Sequence, residues 1–254
     1  MSTYSKYRQL ADLIRLSDNV VFFGGEGVST ESGISNYRSK SGIFEARQVY
    51  AYPPDRLLSH TMFKQHPAQF FKHYKENLVT LTAKPNAAHY ALAKLESAGK
   101  LHAIITQNVD GLHKSAGSKN VLELHGSNLH HYCGDCGAEF TLDYIFNERH
   151  CRDNIPYCAK CEGIVRPSIT LYEELLDDDL LSEASRIILN ADTLIVGGTS
   201  LLVHPSASLI SFFQGKNFII LNKSPTIHDF SAKLIIRSQI SEILVNVLEM
   251  LNIN

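Results

Sequence analysis

The sequence predicts an α/β fold in which a parallel sheet carries helices on both faces and a smaller module is inserted between its strands. Short apolar segments rich in strand-forming residues alternate with helical patterns along most of the 254 residues, as in parallel sheets covered by crossover helices. Two stretches interrupt this alternation, and one of them contains four closely spaced cysteines. A main sheet domain with an inserted module explains both observations.

Six apolar segments are the candidate strands of the sheet. The first, residues 20–23 (VVFF), runs directly into a glycine-rich turn. The others are residues 102–106, 121–124, 193–196, 218–221 and 234–236. Their β-branched and aromatic residues, without polar alternation, are typical of strands that are buried on both faces.

Helical patterns lie between these segments. Tyr7, Leu10, Leu13 and Ile14 fall on one face of a helix that precedes the first strand. A short helix is expected to begin within residues 28–32, after the glycine turn. Longer helical patterns cover residues 88–97, 180–188, 205–213 and 240–251.

The two interruptions divide the chain into domains. We predict that residues 1–36, 86–126 and 166–254 form the main domain. Residues 37–85 are then a helical insertion, and residues 127–165 are an insertion built around the cysteines. Together the two insertions are expected to form the small module.

Composition excludes several classes of protein. Hydrophobic residues make up 44% of the chain, which suits a globular core, and the formal net charge is −2 without long runs of either sign. We therefore expect neither a nucleic acid nor a membrane as a partner. The polar first residues lack the apolar core of a signal peptide. A cytoplasmic location is the expectation.

Four of the five cysteines form two CxxC pairs. The pairs are Cys133 with Cys136 and Cys158 with Cys161, a spacing typical of tetrathiolate zinc sites. Four thiolates fill a tetrahedral coordination sphere, so one structural Zn²⁺ is predicted. Disulfides or a redox CxxC are the alternative. The fifth cysteine, Cys151, is interpreted as an inert thiol.

Glycine-rich and polar residues follow the first strand. The segment Gly24–Gly27 could bring the backbone close to a phosphate, but it departs from the GxGxxG fingerprint of dehydrogenases. A generic dehydrogenase is therefore disfavoured. A purely structural turn is the alternative interpretation.

More polar residues follow the next strands. Gln107, Asn108 and Asp110 could hydrogen-bond an amide and the hydroxyls of a sugar, although such residues also form simple turns. His125 follows another strand and is a candidate general base near neutral pH. No GxSxG elbow is present, so a serine hydrolase is not indicated.

Taken together, these motifs resemble those of the sirtuins, the NAD-dependent protein-lysine deacylases, in particular the compact bacterial type. The matching segments occur in the order found in that family: residues 25–34 (GEGVSTESGI), 106–113 (TQNVDGLH), 124–126 (LHG), the two CxxC pairs, 166–167 (RP) with 171–174 (LYEE), 198–201 (GTSL) and 221–222 (LN). The resemblance implies a Rossmann-like sheet and a zinc-binding module. It also implies NAD-dependent deacetylation of protein lysines, which yields nicotinamide and O-acetyl-ADP-ribose.

The resemblance also implies roles for individual residues. His125 would be the general base, and Asn108 would act with it as a catalytic residue. An acyl-lysine peptide would add as a strand between residues 169–173 and 201–205. The residues expected to hold NAD are Gly25, Glu26, Gly27, Thr30, Tyr37, Arg38, Gln107, Asn108, Val109, Asp110, His125, Gly198, Thr199, Ser200, Asn222 and Ile240.

The chain departs from the sirtuin pattern in the first glycine loop. Glu26 stands where the family usually has alanine, and Asn36 and Tyr37 stand where it usually has aspartate and phenylalanine. A carboxylate about 4 Å from a phosphate costs about 4 kcal/mol at an effective dielectric constant near 20. We therefore hypothesise that NAD binds more weakly than in a typical sirtuin, unless Glu26 turns outward.

Other activities on the same scaffold stay open at the level of sequence. One is a weakly active or inactive regulatory sirtuin that binds NAD or ADP-ribose, and another is an ADP-ribosyltransferase or NADase. The segment 71–75 (FKHYK) lacks the tyrosine and arginine of sirtuins that prefer acidic acyl groups. Acetyl or longer apolar acyl groups are therefore expected.

Overall fold

A parallel six-stranded sheet forms the centre of the computed structural model, which describes residues 2–34, 49 and 51–253. The strands of the chain are β1 (Val20–Gly24), β2 (Ala103–Thr106), β3 (Val121–Glu123), β4 (Gly126–Cys133), β5 (Glu139–Thr141), β6 (Cys151–Arg152), β7 (Ile155–Pro156), β8 (Val165–Ile169), β9 (Thr193–Gly197), β10 (Asn217–Leu221) and β11 (Leu234–Ile236). The six strands of the main sheet lie in the order β11-β10-β9-β1-β2-β3, and all neighbours are parallel. The predicted fold class is confirmed.

Helices cover both faces of this sheet. The described helices of the whole chain are α1 (Thr3–Leu16), α2 (Pro54–Leu57), α3 (His60–Gln65), α4 (Pro67–His73), α5 (Ala87–Ser97), α6 (Leu112–Ser115), α7 (Leu142–Phe146), α8 (Asp178–Leu189) and α9 (Ile240–Leu251). Those that cover the sheet are α1, α5 and α9 on one face and α8 on the other. Among all the described helices, none is long and apolar enough to cross a membrane.

The central strand β1 is buried on both faces. Val20 and Phe22 pack with α1, α5 and α9 in one hydrophobic cluster, whereas Val21 and Phe23 pack with α8 in another. Both phenylalanines are fully buried, and each contributes about 1.5–3 kcal/mol through removal of its side chain from water. The uninterrupted apolar run in the sequence is thus explained by a strand with no solvent-facing side.

A smaller module lies beside the main sheet. Its antiparallel sheet has the order β5-β4-β8, and β6 pairs with β7. A third hydrophobic cluster joins these strands to α2, α3 and α4 through the aromatic side chains of Phe70, Phe71 and Tyr74. β8 pairs with β4, so residues 166–169 lie in this small sheet.

Two segments differ from the helices that the sequence predicts. Residues 26–28 and 30–32 form two 3₁₀ turns, and Ser206–Phe212 is also a 3₁₀ helix. Side-chain hydroxyls bind nearby carbonyls in both places: Thr30 Oγ1 donates to Gly27 O and Ser206 Oγ donates to Val203 O. Such bonds compete with α-helical hydrogen bonding and favour tighter turns.

The first glycine loop and the loop after β9 touch through their backbones. Gly27 N donates to Gly198 O at 2.8 Å, and Gly25 N donates to Gly197 O at 3.2 Å. A Cβ atom on Gly27 would lie 2.7 Å from Gly198 Cα. Because backbone atoms on both sides fill this contact, a side chain at Gly27 would separate the two loops.

We therefore expect Gly27→Ala to destabilise the protein by about 1–3 kcal/mol through overpacking. Thermal and urea unfolding measure this change. Gly134→Ala is the matched control, because its added Cβ would lie 3.7 Å from the nearest backbone atom, Ile164 O. Equal stability of the two variants would contradict the proposed steric requirement.

Candidate active site

A cleft lies at the carboxyl edge of the main sheet, between that sheet and the small module. Ligands bind at this edge in open parallel sheets. The cleft is lined by six of the residues expected at the site, namely Glu26, Gln107, Asn108, Val109, Asp110 and His125. Strand geometry therefore brings together residues that are distant in sequence.

The side-chain amide of Gln107 is fixed by two hydroxyls. Thr199 Oγ1 donates to Gln107 Oε1 at 2.8 Å, and Gln107 Nε2 donates to Ser206 Oγ at 2.8 Å. The amide therefore bridges the loop after β9 and the 3₁₀ helix that follows it. Because both polar atoms of its side chain are used in this way, Gln107 stabilises the wall of the cleft.

The side chain of Asn108 is held by Ser29. Asn108 Nδ2 donates to Ser29 Oγ at 3.0 Å, and Ser29 Oγ donates to Asp110 Oδ2 at 2.7 Å. The Ser29 hydroxyl thus links Asn108 and Asp110, in the loop after β2, to the first glycine loop. These bonds set the orientation of the Asn108 amide within the cleft.

A buried histidine completes this network. Asn86 N donates to His89 Nδ1 at 3.2 Å, so the neutral ring carries its proton on Nε2, which lies 3.3 Å from Ser29 Oγ. Burial lowers the pKa of His89 to about 4, and this keeps the ring neutral at pH 7. The same residue caps α5 and fixes Ser29.

Asp110 is the half-buried carboxylate of the network. Burial raises the pKa of Asp110, against hydrogen bonds from Leu112 N and Ser29 Oγ that lower it. Leu112 N donates to Asp110 Oδ1 at 2.9 Å and begins α6. The two oxygens therefore serve different partners, one in the cleft and one at the helix start.

His125 has one ring nitrogen fixed by the backbone. Its Nδ1 lies 2.9 Å from Gln107 O, an acceptor, so Nδ1 carries the proton. In the neutral ring Nε2 is then the basic nitrogen. His125 lies between β3 and β4 in the sequence, and it lines the cleft. Its geometry is that of a general base with a fixed tautomer.

Other predicted NAD residues lie at the same sheet edge. Asn222 Nδ2 donates to Thr199 O at 3.2 Å, which ties the loop after β10 to the loop after β9. Ser200 is exposed in that loop. Ile240 is 5% exposed in the core at the start of α9 and offers little surface to a ligand. Tyr37 and Arg38 lie outside the described residues.

The far part of the cleft has two walls. Residues 169–174 form one wall and residues 203–205 form the other, and they overlap the segments 169–173 and 201–205 that are predicted to hold a peptide. Leu58, Leu78 and Asn77 of the small module also line the cleft. An acyl chain between the two walls would meet these side chains.

The four cysteine sulfurs lie within 4.8 Å of one another. Cys133 Sγ is 3.4 Å from Cys161 Sγ, and Cys136 Sγ is 3.7 Å from Cys158 Sγ. Sulfurs in a tetrahedral zinc site with Zn–S bonds of about 2.3 Å are about 3.8 Å apart. The donor set and its spacing therefore fit one zinc ion with no open position, far from His125 along β4.

The second cysteine turn is supported by Tyr144. Ala159 N donates to Tyr144 Oη at 3.0 Å, and Tyr144 Oη donates to Tyr157 O at 2.8 Å. Cys151 lies outside the sulfur cluster and its Sγ donates to Ile145 O at 3.2 Å. The hydroxyl of Tyr144 thus holds the backbone on both sides of Cys158.

Sequence reasoning missed Ser29, His89 and Ser206. Ser29 lies within a quoted motif, but its contacts with Asn108 and Asp110 join segments about 80 positions apart. His89 was one of twelve histidines, and its only local signal is its place as the third helical residue after Asn86. These roles depend on tertiary contacts.

Comparison with known proteins identifies the family. Residues 25–205 match the model of the Sir2 family. An NAD-dependent protein deacetylase of Clostridium acetobutylicum is 50% identical over 98% of this chain and 100% of its own. One from Cutibacterium acnes is 45% identical over 93% of this chain and 95% of its own.

Solved structures give the same result. A structure described as "Sir2-p53 peptide-NAD+" has a TM-score of 0.86 and 35% identity, and covers 97% of this chain and 98% of its own. A structure described as "Sir2 bound to acetylated peptide" has a TM-score of 0.85 and 34% identity, with coverages of 97% and 99%. This chain belongs to the Sir2 family, the sirtuins.

Proposed function

We propose that this sirtuin is an NAD-dependent protein-lysine deacetylase. The observation that carries the proposal is the fixed tautomer of His125, whose Nδ1 lies 2.9 Å from Gln107 O and whose Nε2 is left basic in a cleft shared with Asn108. The two relatives named NAD-dependent protein deacetylase, which match 98% and 93% of this chain, support it. The substrate is an acyl-lysine in a protein or peptide.

NAD supplies the ADP-ribose that accepts the acyl group as nicotinamide leaves, and water is consumed when the lysine amine is released. We infer that Nε2 of His125 takes the proton of a ribose hydroxyl. Asn108, held by Ser29, positions the nicotinamide ribose, and the walls at residues 169–174 and 203–205 bind the peptide.

Zinc has a structural role in this proposal. Four thiolates would complete its coordination, so no position is left for a substrate or a reactive water. A reducing compartment suits four metal-binding thiols. We infer that the protein works in the cytoplasm.

The predicted division into domains is retained as part of the proposal. Residues 1–36, 86–126 and 166–254 would form the NAD-binding domain, and residues 37–85 and 127–165 the small module. The 165/166 boundary falls within β8, whose residues 166–169 pair with β4 in the small sheet. The third hydrophobic cluster, which joins side chains of both insertions, supports this grouping. The 36/37 boundary falls outside the described residues.

We expect His125→Gln to reduce turnover by about 10²–10⁴-fold and to leave NAD bound, because the variant keeps a polar side chain but loses the base. Mass spectrometry of NAD incubated with an acetylated peptide measures O-acetyl-ADP-ribose. His102→Gln, at an exposed position before β2, is the matched control.

The products also separate the alternative activities. Bare ADP-ribose from the wild-type enzyme would indicate an NADase or ADP-ribosyltransferase. NAD binding without any product would indicate a regulatory sirtuin. Either result would contradict the proposed deacetylase.

Glu26→Ala combined with Asn36→Asp should tighten NAD binding by about threefold to thirtyfold, because Glu26 lines the cleft and its charge opposes the pyrophosphate. Isothermal titration calorimetry measures the dissociation constant. The double variant leaves the net charge unchanged, so the single variant Glu26→Ala is measured as well, with Glu249→Ala in the last turn of α9 as its charge-matched control. Unchanged NAD affinity in the double variant would show that Glu26 does not weaken binding.

Cys133→Ala should remove zinc, unfold the small module and abolish activity. Zinc content by atomic absorption and circular dichroism follow these changes. Cys151→Ala is the matched control and should keep both zinc and activity, since its thiol lies outside the cluster. A zinc-free Cys133→Ala protein that stays folded, binds NAD and lacks only catalysis would mean that the metal is not structural.

A further inference from the structure

The peptide-facing wall at residues 169–174 ends in two adjacent glutamates with different environments. Arg166 donates two hydrogen bonds of 2.8 Å to Glu174, one to each carboxylate oxygen. Glu174 also accepts Leu171 N at 2.9 Å and lies 2.8 Å from His60 Nδ1. Burial raises the pKa of Glu174, but these bonds outweigh it and lower the pKa to about 2. Arg166 therefore neutralises this carboxylate and fixes the wall.

Glu173 is the second glutamate, and its charge is not neutralised in this way. Its Oε2 accepts Thr61 N at 2.8 Å, at the start of α3. Within the described residues, no lysine or arginine nitrogen lies within 4.0 Å of its carboxylate. The side chain is exposed at the edge of the cleft. An anionic group is therefore held at the mouth of the peptide site.

The backbone of Glu173 also fixes this charge in place. Its φ is +74°, in the left-handed region that non-glycine residues rarely adopt. The bond from Thr61 N holds the carboxylate against the small module, so the side chain does not swing freely. A fixed charge interacts more effectively with a bound ligand than a mobile one, because less ordering is needed on binding.

The rest of the cleft adds negative charge and no compensating cation. Besides Glu173, and apart from Glu174, which Arg166 neutralises, its described lining contains the carboxylates of Glu26 and Asp110 but neither lysine nor arginine. The opposite wall, residues 203–205, contributes valine, histidine and proline. A residue beside the acyl-lysine would lie within a Debye length, about 8 Å at physiological salt, of the Glu173 edge.

We propose that Glu173 is a specificity-determining residue that selects acyl-lysine peptides with arginine or lysine next to the modified residue. This proposal rests on the proposed deacetylase function and names the class of its substrates. Complementary charge across an interface favours the correct partner, and like charge disfavours the wrong one.

Fluorescence anisotropy with labelled acetyl-lysine peptides tests the proposal without requiring turnover. Three peptides of equal length carry arginine, glutamine or glutamate on both sides of the acetyl-lysine. We expect the arginine peptide to bind the wild-type protein about threefold to tenfold more tightly than the glutamate peptide at low salt. The difference should shrink as sodium chloride rises.

Glu173→Gln keeps the acceptor for Thr61 N and removes the charge. The ratio of the dissociation constants of the glutamate and arginine peptides should therefore fall toward one. Glu249→Gln makes the same change of net charge in the last turn of α9, outside the residues that line the cleft, and should keep the preference. Equal binding of the three peptides, or an undiminished preference in Glu173→Gln, would overturn the proposal. Turnover of the glutamine peptide by the wild type tests the deacetylase function separately.

Discussion

The close contact between the backbones of Gly27 and Gly198 determines how the active site is assembled. The two loops follow adjacent strands, β1 and β9, and their distance is set by hydrogen bonds of 2.8–3.2 Å rather than by side chains. With the loops in contact, Thr199 reaches Gln107 and Ser29 reaches Asn108. The glycines, which looked like candidates for holding a phosphate, serve at least as much to bring the loops together.

The polar groups of the cleft are positioned mainly by other polar groups. Gln107 uses both ends of its amide on Thr199 and Ser206, and its backbone carbonyl fixes the tautomer of His125. Ser29 connects Asn108, Asp110 and His89. In a buried network each member depends on the others being satisfied. Loss of one hydroxyl is therefore expected to affect several residues at once.

Sequence alone predicted the main sheet, the cysteine cluster and six residues that line the candidate site. The six strands could be predicted because their apolar runs are long enough for burial on both faces, and the cysteine cluster because its spacing is dictated by a metal. Ser29 and His89 could not, since their partners lie about 60 to 80 positions away. The sequence does not distinguish the two 3₁₀ segments from α-helix, because hydroxyl bonds to nearby carbonyls leave no periodic signal.

The small sheet connects the cysteine cluster to both sides of the catalytic cleft. β4 begins at Gly126, directly after His125, and ends at Cys133, while its partner β8 runs from Val165 into the peptide wall. An eight-residue strand is about 27 Å long, so a metal that never meets the substrate still anchors the strand leading away from the base. Zinc supply thereby becomes a condition for deacylation, and a cell short of the metal would lose this activity although every reacting group was intact.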